Sequence, residues 1–167
     1  MRRATCLLVF SLAAAAVPAH AAVDVTFAEP VRYSDARLNG NYRPGADESV
    51  LKQLRAHLET LGTRYLRDGQ VLKVEVLDID LAGRYEPWRA QAYDVRFLRD
   101  ITWPRIKLRY ALQSGGAVVA QGEETVTDLD YLSHPEVRLS ADRLGYEKRM
   151  LDDWFRTRCA AQTQAQR

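Results

Sequence analysis

The most regular alternation of apolar and charged positions in this chain runs through residues 70–84. Over its first half every second residue is apolar and the residues between are mostly charged, which predicts a strand with one buried face. After Val76 the phase reverses, and Asp78 and Asp80 fall where the apolar face had been. Because a one-residue slip moves every side chain to the other face, we expect either a β-bulge near residues 76–77 or a strand that runs past the elements covering it.

A second alternating run, residues 105–113, is followed by two glycines at 115–116 and a return strand, which together predict a β-hairpin. A two-residue loop would pair core positions with polar ones. A three-residue loop keeps apolar positions together and sets Glu123 opposite Lys107 or Arg109. We therefore expect the longer loop, and a solvated outer face with cross-strand charge pairs.

Apolar residues spaced three and four apart predict two helices. The first follows Asp47, a good N-cap, and its stripe is Val50, Leu51, Leu54, Leu58, Leu61 and Tyr65. The last follows Asp142, and its apolar face is Leu144, Tyr146, Met150, Leu151, Trp154 and Phe155. Glu147 falls on the polar side of this helix. Before the first helix, residues 23–27 alternate as a short strand, and the turn-forming residues of 33–45 predict a loop.

The order of elements is thus strand, helix, strand, an irregular stretch, a hairpin and a helix. Strands outnumber crossover connections, so the pattern predicts an α+β fold: a mostly antiparallel sheet of about four strands with two helices packed on one face. We place this single domain at residues 22–159, followed by a polar C-terminal tail at 160–167.

The first 21 residues have the composition of a secretory signal peptide. Arg2 and Arg3 form the positive region, residues 6–17 form an apolar run too short to span a bilayer, and Ala-His-Ala at 19–21 is a small-x-small cleavage site. We expect export to the periplasm, with secretion as the alternative, and no transmembrane segment after cleavage.

Charge and cysteine content narrow the class of partner. Losing Arg2 and Arg3 reduces the 24 basic residues to the number of acidic ones, 22, so no overall charge favours nucleic acid. Cys159 would be the only cysteine after cleavage, which excludes an internal disulfide. It is either a half-buried thiol or one half of an intermolecular disulfide.

Two pairs of aspartates are candidate metal ligands. Asp78 and Asp80 lie at the phase reversal, and Asp128 and Asp130 follow the hairpin. If the strands are neighbours, the pairs could converge and hold a divalent cation such as Ca²⁺ or Mg²⁺, and a metal-dependent hydrolase is the alternative function. Otherwise Asp78 pairs with Arg84 and Asp128 caps a turn, and the chain carries no cofactor.

Residues 82–104, which we call the Arg/aromatic segment, interleave arginines with aromatic residues. The candidate contact residues are Arg84, Trp88, Arg89, Arg96, Arg99 and Trp103. Tryptophan, tyrosine and arginine dominate interface hot spots, and long irregular stretches are often functional. The segment is therefore either a recognition surface for an envelope protein or small ligand, or a satellite core with arginines lying over buried rings.

Four stretches of the chain resemble a bacterial family of exported proteins labelled domain of unknown function 3016. They are Asp-Val-Thr-Phe at 24–27, Val-Leu-Asp-Ile-Asp-Leu-Ala-Gly-Arg at 76–84, Pro-Arg-Ile-Lys-Leu-Arg-Tyr at 104–110 and Tyr-Glu-Lys-Arg-Met-Leu-Asp-Asp-Trp-Phe at 146–155. The resemblance implies a Gram-negative envelope location and supplies no catalytic residues. The chain also lacks phosphate-loop, nucleophile-elbow and zinc-ligand motifs, so we favour a non-enzymatic binding or accessory module of the envelope.

Overall fold

A computed structural model describes residues 21–38, 44–89, 91–92 and 95–160. The predicted signal peptide and the predicted tail lie, apart from their inner ends, outside these ranges. The strands are β1 (Ala22–Phe27), β2 (Gln70–Asp80), β3 (Arg84–Tyr85), β4 (Arg96–Phe97), β5 (Arg105–Ser114) and β6 (Ala117–Thr127). The helices are α1 (Glu48–Tyr65), α2 (Pro135–Arg138) and α3 (Gly145–Phe155), and α3 ends in a π turn, Arg156–Ala160.

The main sheet has four strands in the order β1-β2-β5-β6, and a separate two-stranded sheet joins β3 to β4. β1 runs parallel to β2, and the other two pairings are antiparallel. Both long helices cover one face of the main sheet and contact each other, where His57 Nε2 of α1 lies 2.9 Å from Asp152 Oδ1 of α3. The predicted α+β fold is confirmed.

A bulge in β2 explains the phase reversal in the sequence. Val76 lies opposite Leu108 and Asp78 opposite Lys107, so Leu77 is the extra residue between them. The bulge keeps Ile79 in the core while Asp78 and Asp80 lie on the outer face with the basic side chains of β5. Of the two explanations that the sequence left open, the bulge is the one that the structure contains.

The predicted three-residue hairpin loop is wrong. Gly115 and Gly116, with φ of 58° and 83°, form a two-residue turn of the kind that matches strand twist. The extra residue sits instead in β6 at Val119, because Leu112 pairs with Ala120 whereas Gln113 pairs with Val118. An extra residue in one strand shifts the pairing by one position, just as an extra loop residue would, so the bulge also keeps apolar positions opposite each other. The predicted charge pairing survives, since Glu123 contacts both Lys107 and Arg109.

The segment before α1 packs more closely than its loop-like composition indicates. Tyr33 is 1% exposed, and its hydroxyl donates to the Val76 carbonyl at 2.9 Å. Asp35 forms a parallel bridge with Asp80 and so extends the sheet beyond β1. No helix within the described ranges is both long enough and apolar enough to cross a membrane.

Candidate functional site: the Arg/aromatic segment

The Arg/aromatic segment folds back on itself through the β3–β4 ladder, in which Arg84 pairs with Phe97 and Tyr85 with Arg96. Gly83, at φ 76°, permits the tight entry into this ladder. A side chain there would place its Cβ 2.7 Å from the Phe97 carbonyl oxygen. The described part of the irregular sequence therefore has a defined backbone fold at this ladder, because glycine allows both the conformation and the close approach.

Arg96 anchors the ladder to the main domain. Its guanidinium contacts Asp35 Oδ2 at 2.8 Å and donates to the carbonyls of Leu81 at 2.9 Å and Ala82 at 2.6 Å. It also lies 5.3 Å from the centroid of the Tyr85 ring. The Arg96 side chain is 12% exposed, so its burial does not favour the predicted direct contact with a partner.

Glu147 of α3 contacts the same part of the segment, at Ala82. One carboxylate oxygen accepts a hydrogen bond of 2.7 Å from the Ala82 amide, and the other has no hydrogen-bond partner in the described part of the chain. The residue is 1% exposed, which corrects its predicted place on the polar side of the helix. Burial raises the pKa of Glu147, although the Ala82 amide and the charge of Arg96 act in the opposite direction.

A second charged cluster links Glu86, which follows β3, to Arg89 and to Arg99. Glu86, 7% exposed, contacts Arg89 at 2.5 Å and Arg99 at 2.6 Å. Partial burial acts to raise the pKa of Glu86, but hydrogen bonds from the two guanidinium groups outweigh it and lower the pKa. The Arg89 guanidinium also lies 4.7 Å from the centroid of the Phe97 ring. Two of the predicted contact arginines thus hold the segment together.

Some of the aromatic residues form the satellite core that the sequence allowed. Tyr85 is 3% exposed, and Trp103 packs against a small cluster that contains Ala82, Tyr131 and Tyr146. The Tyr131 and Tyr146 rings meet edge to face with their centroids 4.9 Å apart. These contacts pack the base of the segment against the main domain. Tyr93 lies outside the described residues.

The remaining apolar side chains of the segment face solvent. Trp88 is 76% exposed and Ile101 is 71% exposed. They line a cleft of about 300 Å³ together with Arg84. Arg84 and Ile101 also line a neighbouring cleft of about 180 Å³ that reaches Trp103. Arg84 is exposed and makes no ion pair within the described ranges. The segment therefore combines a fixed base with an apolar, cationic surface.

The four aspartates predicted as metal ligands are engaged by separate partners. Asp78 accepts from the Ser34 amide at 2.7 Å and Asp80 contacts Arg105 on the outer face. Asp128 contacts His134 at 3.0 Å and, with Asp130, lines a cleft beside α3.

Among the described residues, no group of three or more His, Cys, Asp or Glu side chains is placed to hold a metal ion. The chemistry present at the two aspartate pairs is hydrogen bonding and ion pairing, and metal binding stays a prediction. Cys159 is 3% exposed, and burial raises the pKa of its thiol to about 12. An intermolecular disulfide through Cys159 also stays a prediction, and this burial does not favour it.

Sequence reasoning missed the three buried acids that organise the site: Asp35, Glu86 and Glu147. Asp35 and Glu147 look like ordinary surface carboxylates in the sequence, because their partners, Arg96 and the Ala82 amide, are 61 and 65 residues away. Glu86 lies three residues before Arg89, a common spacing of opposite charges that does not by itself indicate burial. The available signal was the excess of arginines in the Arg/aromatic segment, which demands acidic or carbonyl partners if the segment is folded.

Comparison with known proteins returned one finding. A family model described as Protein of unknown function (DUF3016) matches residues 21–157. No curated protein and no solved structure matches the chain. The match covers nearly all of the described fold, including the Arg/aromatic segment.

Proposed function

The chain belongs to this family of proteins of unknown function, DUF3016, and we propose that it is a non-enzymatic binding module of the cell envelope. In this proposal Arg84, Trp88 and Ile101 form the contact surface for a partner protein. The signal-peptide pattern of residues 1–21 supports export to the periplasm.

The observation that carries the proposal is the contrast between exposed apolar side chains and largely buried charged ones in the Arg/aromatic segment. Trp88 and Ile101 are mostly exposed, whereas the Arg96 guanidinium and the Glu86 carboxylate are largely buried and hydrogen-bonded. Large exposed apolar side chains that share a cleft are typical of interaction sites. Side chains held by hydrogen bonds and ion pairs before binding lose less conformational entropy when a partner binds.

The charges at the surface define the chemistry of the partner. Arg84 borders both clefts and has no carboxylate partner in the described part of the chain. A guanidinium group recognises a carboxylate through two parallel hydrogen bonds. The expected partner is therefore a protein segment that carries an aspartate or glutamate beside an apolar side chain, with the apolar group in the cleft between Trp88 and Ile101.

The acids near this surface support a binding role over a catalytic one. Glu86 contacts two arginines, whose hydrogen bonds lower its pKa, so this carboxylate has little tendency to take up a proton during a reaction. Asp35 contacts Arg96. Both side chains therefore serve to hold the segment in place.

The test is affinity capture from a periplasmic extract with the wild-type protein and two double variants. Arg84→Glu with Trp88→Ala changes the proposed surface. Lys52→Glu with Leu139→Ala makes a matched change at an exposed cation and at a leucine that is 89% exposed elsewhere. We expect the same captured protein with wild type and the control, and its loss with the surface variant. Equal capture by all three proteins would refute the proposal.

A further inference from the structure

We propose that the junction between α3 and the Arg/aromatic segment is a pH-dependent latch, which holds the segment more firmly when Glu147 is protonated than when it is ionised. The latch is a property of the free chain and needs no partner. Its consequence for binding rests on the proposed function, because Arg84 and Trp88 of the contact surface follow this junction directly in the chain.

The carboxyl group of Glu147 lies in surroundings that disfavour its charge. The residue is almost fully buried, and the Ala82 amide donates to one of its oxygens at 2.7 Å. The other oxygen has no hydrogen-bond partner in the described part of the chain. A buried carboxylate with a single donor loses most of its hydration without compensation. Protonation removes the charge and still leaves the first oxygen able to accept from the Ala82 amide.

The nearby cation does not supply the missing partner. Arg96 of β4 is the cation whose charge acts on Glu147. Its guanidinium donates to the carbonyls of Leu81 and Ala82 and contacts Asp35 at 2.8 Å. These contacts hold the Arg96 donors on the other side of the junction. The positive charge therefore offsets part of the cost of ionising Glu147 without a direct ion pair between the two side chains in the described structure.

The other ionisable groups that face Glu147 add no positive charge. Asp142, which precedes α3, adds a like charge and is itself held by Lys148 at 2.6 Å. The hydroxyls of Tyr131 and Tyr146 also lie within electrostatic reach, and burial raises the pKa of both, so they stay neutral. The Tyr131 hydroxyl already donates to a backbone carbonyl at 2.7 Å. The carboxylate is thus surrounded by neutral groups, a like charge and an arginine that is engaged elsewhere.

The segment is built so that it can open while the main sheet stays folded. The β3–β4 ladder has two residue pairs and forms a sheet of its own. The Gly83 amide donates to the Thr102 carbonyl at 2.8 Å, which is a contact within the segment. Short ladders with few buried contacts belong to the least stable parts of a fold and open locally. Opening at Ala82 would let water reach the Glu147 carboxylate, so ionisation favours the open junction.

The direction of the pH dependence follows from this linkage. Burial raises the pKa of Glu147 above its ordinary 4.5 in the closed junction, and opening returns the pKa toward that value. The closed junction therefore has its full stability below about pH 4.5 and loses stability as the pH rises toward the pKa of the closed state. The contact surface should be held most firmly at acidic pH.

The test is hydrogen exchange of the purified protein, measured by mass spectrometry between about pH 4 and pH 8 and corrected for the intrinsic exchange rates. One peptide spans residues 81–86, and a reference peptide lies within β5. Glu147→Gln keeps an oxygen for the Ala82 amide but cannot ionise. Glu59→Gln is the matched control, because it makes the same change at an exposed position of α1.

We expect the protection of residues 81–86 in wild type to fall by about tenfold per pH unit above about 4.5, until the pH reaches the pKa of Glu147 in the closed junction. This protection should stay below that of β5 at every pH, because the segment opens before the sheet unfolds. Glu147→Gln should remove the fall, and Glu59→Gln should retain it.

Three results would overturn the latch. They are a change of less than about threefold in wild type across this pH range, a fall that persists in Glu147→Gln, and protection of residues 81–86 equal to that of β5. If Glu147→Gln folds poorly, an NMR titration of the labelled glutamate carboxyl carbons in wild type replaces it, and a pKa of Glu147 at or below 4.5 would also overturn the proposal. None of these measurements uses a partner, so the latch and the proposed function can fail separately.

Discussion

Removal of the Arg96 side chain tests how the contact surface is held. Arg96→Ala leaves Asp35, which is 4% exposed, without its 2.8 Å partner and removes the donors to the Leu81 and Ala82 carbonyls. Breaking a buried ion pair by deleting one partner costs about 3–5 kcal/mol, because an uncompensated charge remains buried. At about 3 °C per kcal/mol for a domain of this size, the melting temperature should fall by about 10 °C.

The assay is urea unfolding followed by circular dichroism at pH 7, in a double-mutant cycle. Arg96→Ala together with Asp35→Asn should cost less than the sum of the single changes by about 1–3 kcal/mol, since the second change removes the stranded charge. Arg84→Ala, at an exposed arginine of the same segment, is the control and should cost about 0.5 kcal/mol or less. A loss for Arg96→Ala no larger than that of the control would refute the anchoring role.

Three further predictions concern other parts of the molecule. Burial raises the pKa of Glu147 above its ordinary 4.5, so the ionised form destabilises the fold. Wild type should therefore lose stability as the pH rises above about 4.5, whereas Glu147→Gln should not. In urea unfolding, the free energy of unfolding of Glu147→Gln minus that of wild type should rise above about pH 4.5 and stay constant below it. Gly62→Ala should destabilise by about 1–3 kcal/mol in urea unfolding despite alanine's helix propensity, because its Cβ would lie 2.3 Å from Val23 Cγ2. Ca²⁺, Mg²⁺, Mn²⁺ or Zn²⁺ should leave the melting temperature unchanged, since Ser34 and Arg105 engage Asp78 and Asp80; a metal-selective rise lost in Asp78→Asn with Asp80→Asn would show a metal site.

The elements with long hydrophobic patterns could be predicted from sequence. The α1 stripe and the alternation in β2 and β5 fix which faces are buried, and the reversal after Val76 located the bulge. The hairpin loop could not be predicted in the same way. A longer loop and a bulge at Val119 satisfy the same apolar pattern, and the preference of two adjacent glycines for a tight turn decides between them.

The composition of the sequence identified the segment that holds the candidate site, but not the role of each arginine in it. Nothing in the sequence distinguishes the roles of Arg84, Arg89 and Arg96. In the structure Arg96 is buried against Asp35 and Arg89 contacts Glu86. Arg84 makes no ion pair in the described ranges. The difference depends on contacts such as Asp35 with Arg96, which are 61 residues apart and leave no local pattern. Hydrophobic periodicity therefore cannot predict ion pairs between residues that are far apart in the sequence.

The most direct test of the contact surface is photo-crosslinking from position 88. A benzoylphenylalanine in place of Trp88 should crosslink one envelope protein, and excess wild-type protein should compete with this product. Excess Arg84→Glu with Trp88→Ala should not compete, and the same photoreactive residue at Leu139, which is 89% exposed, should give no such product. Identical products from positions 88 and 139, or equal competition by both proteins, would contradict a binding role for the Arg/aromatic segment.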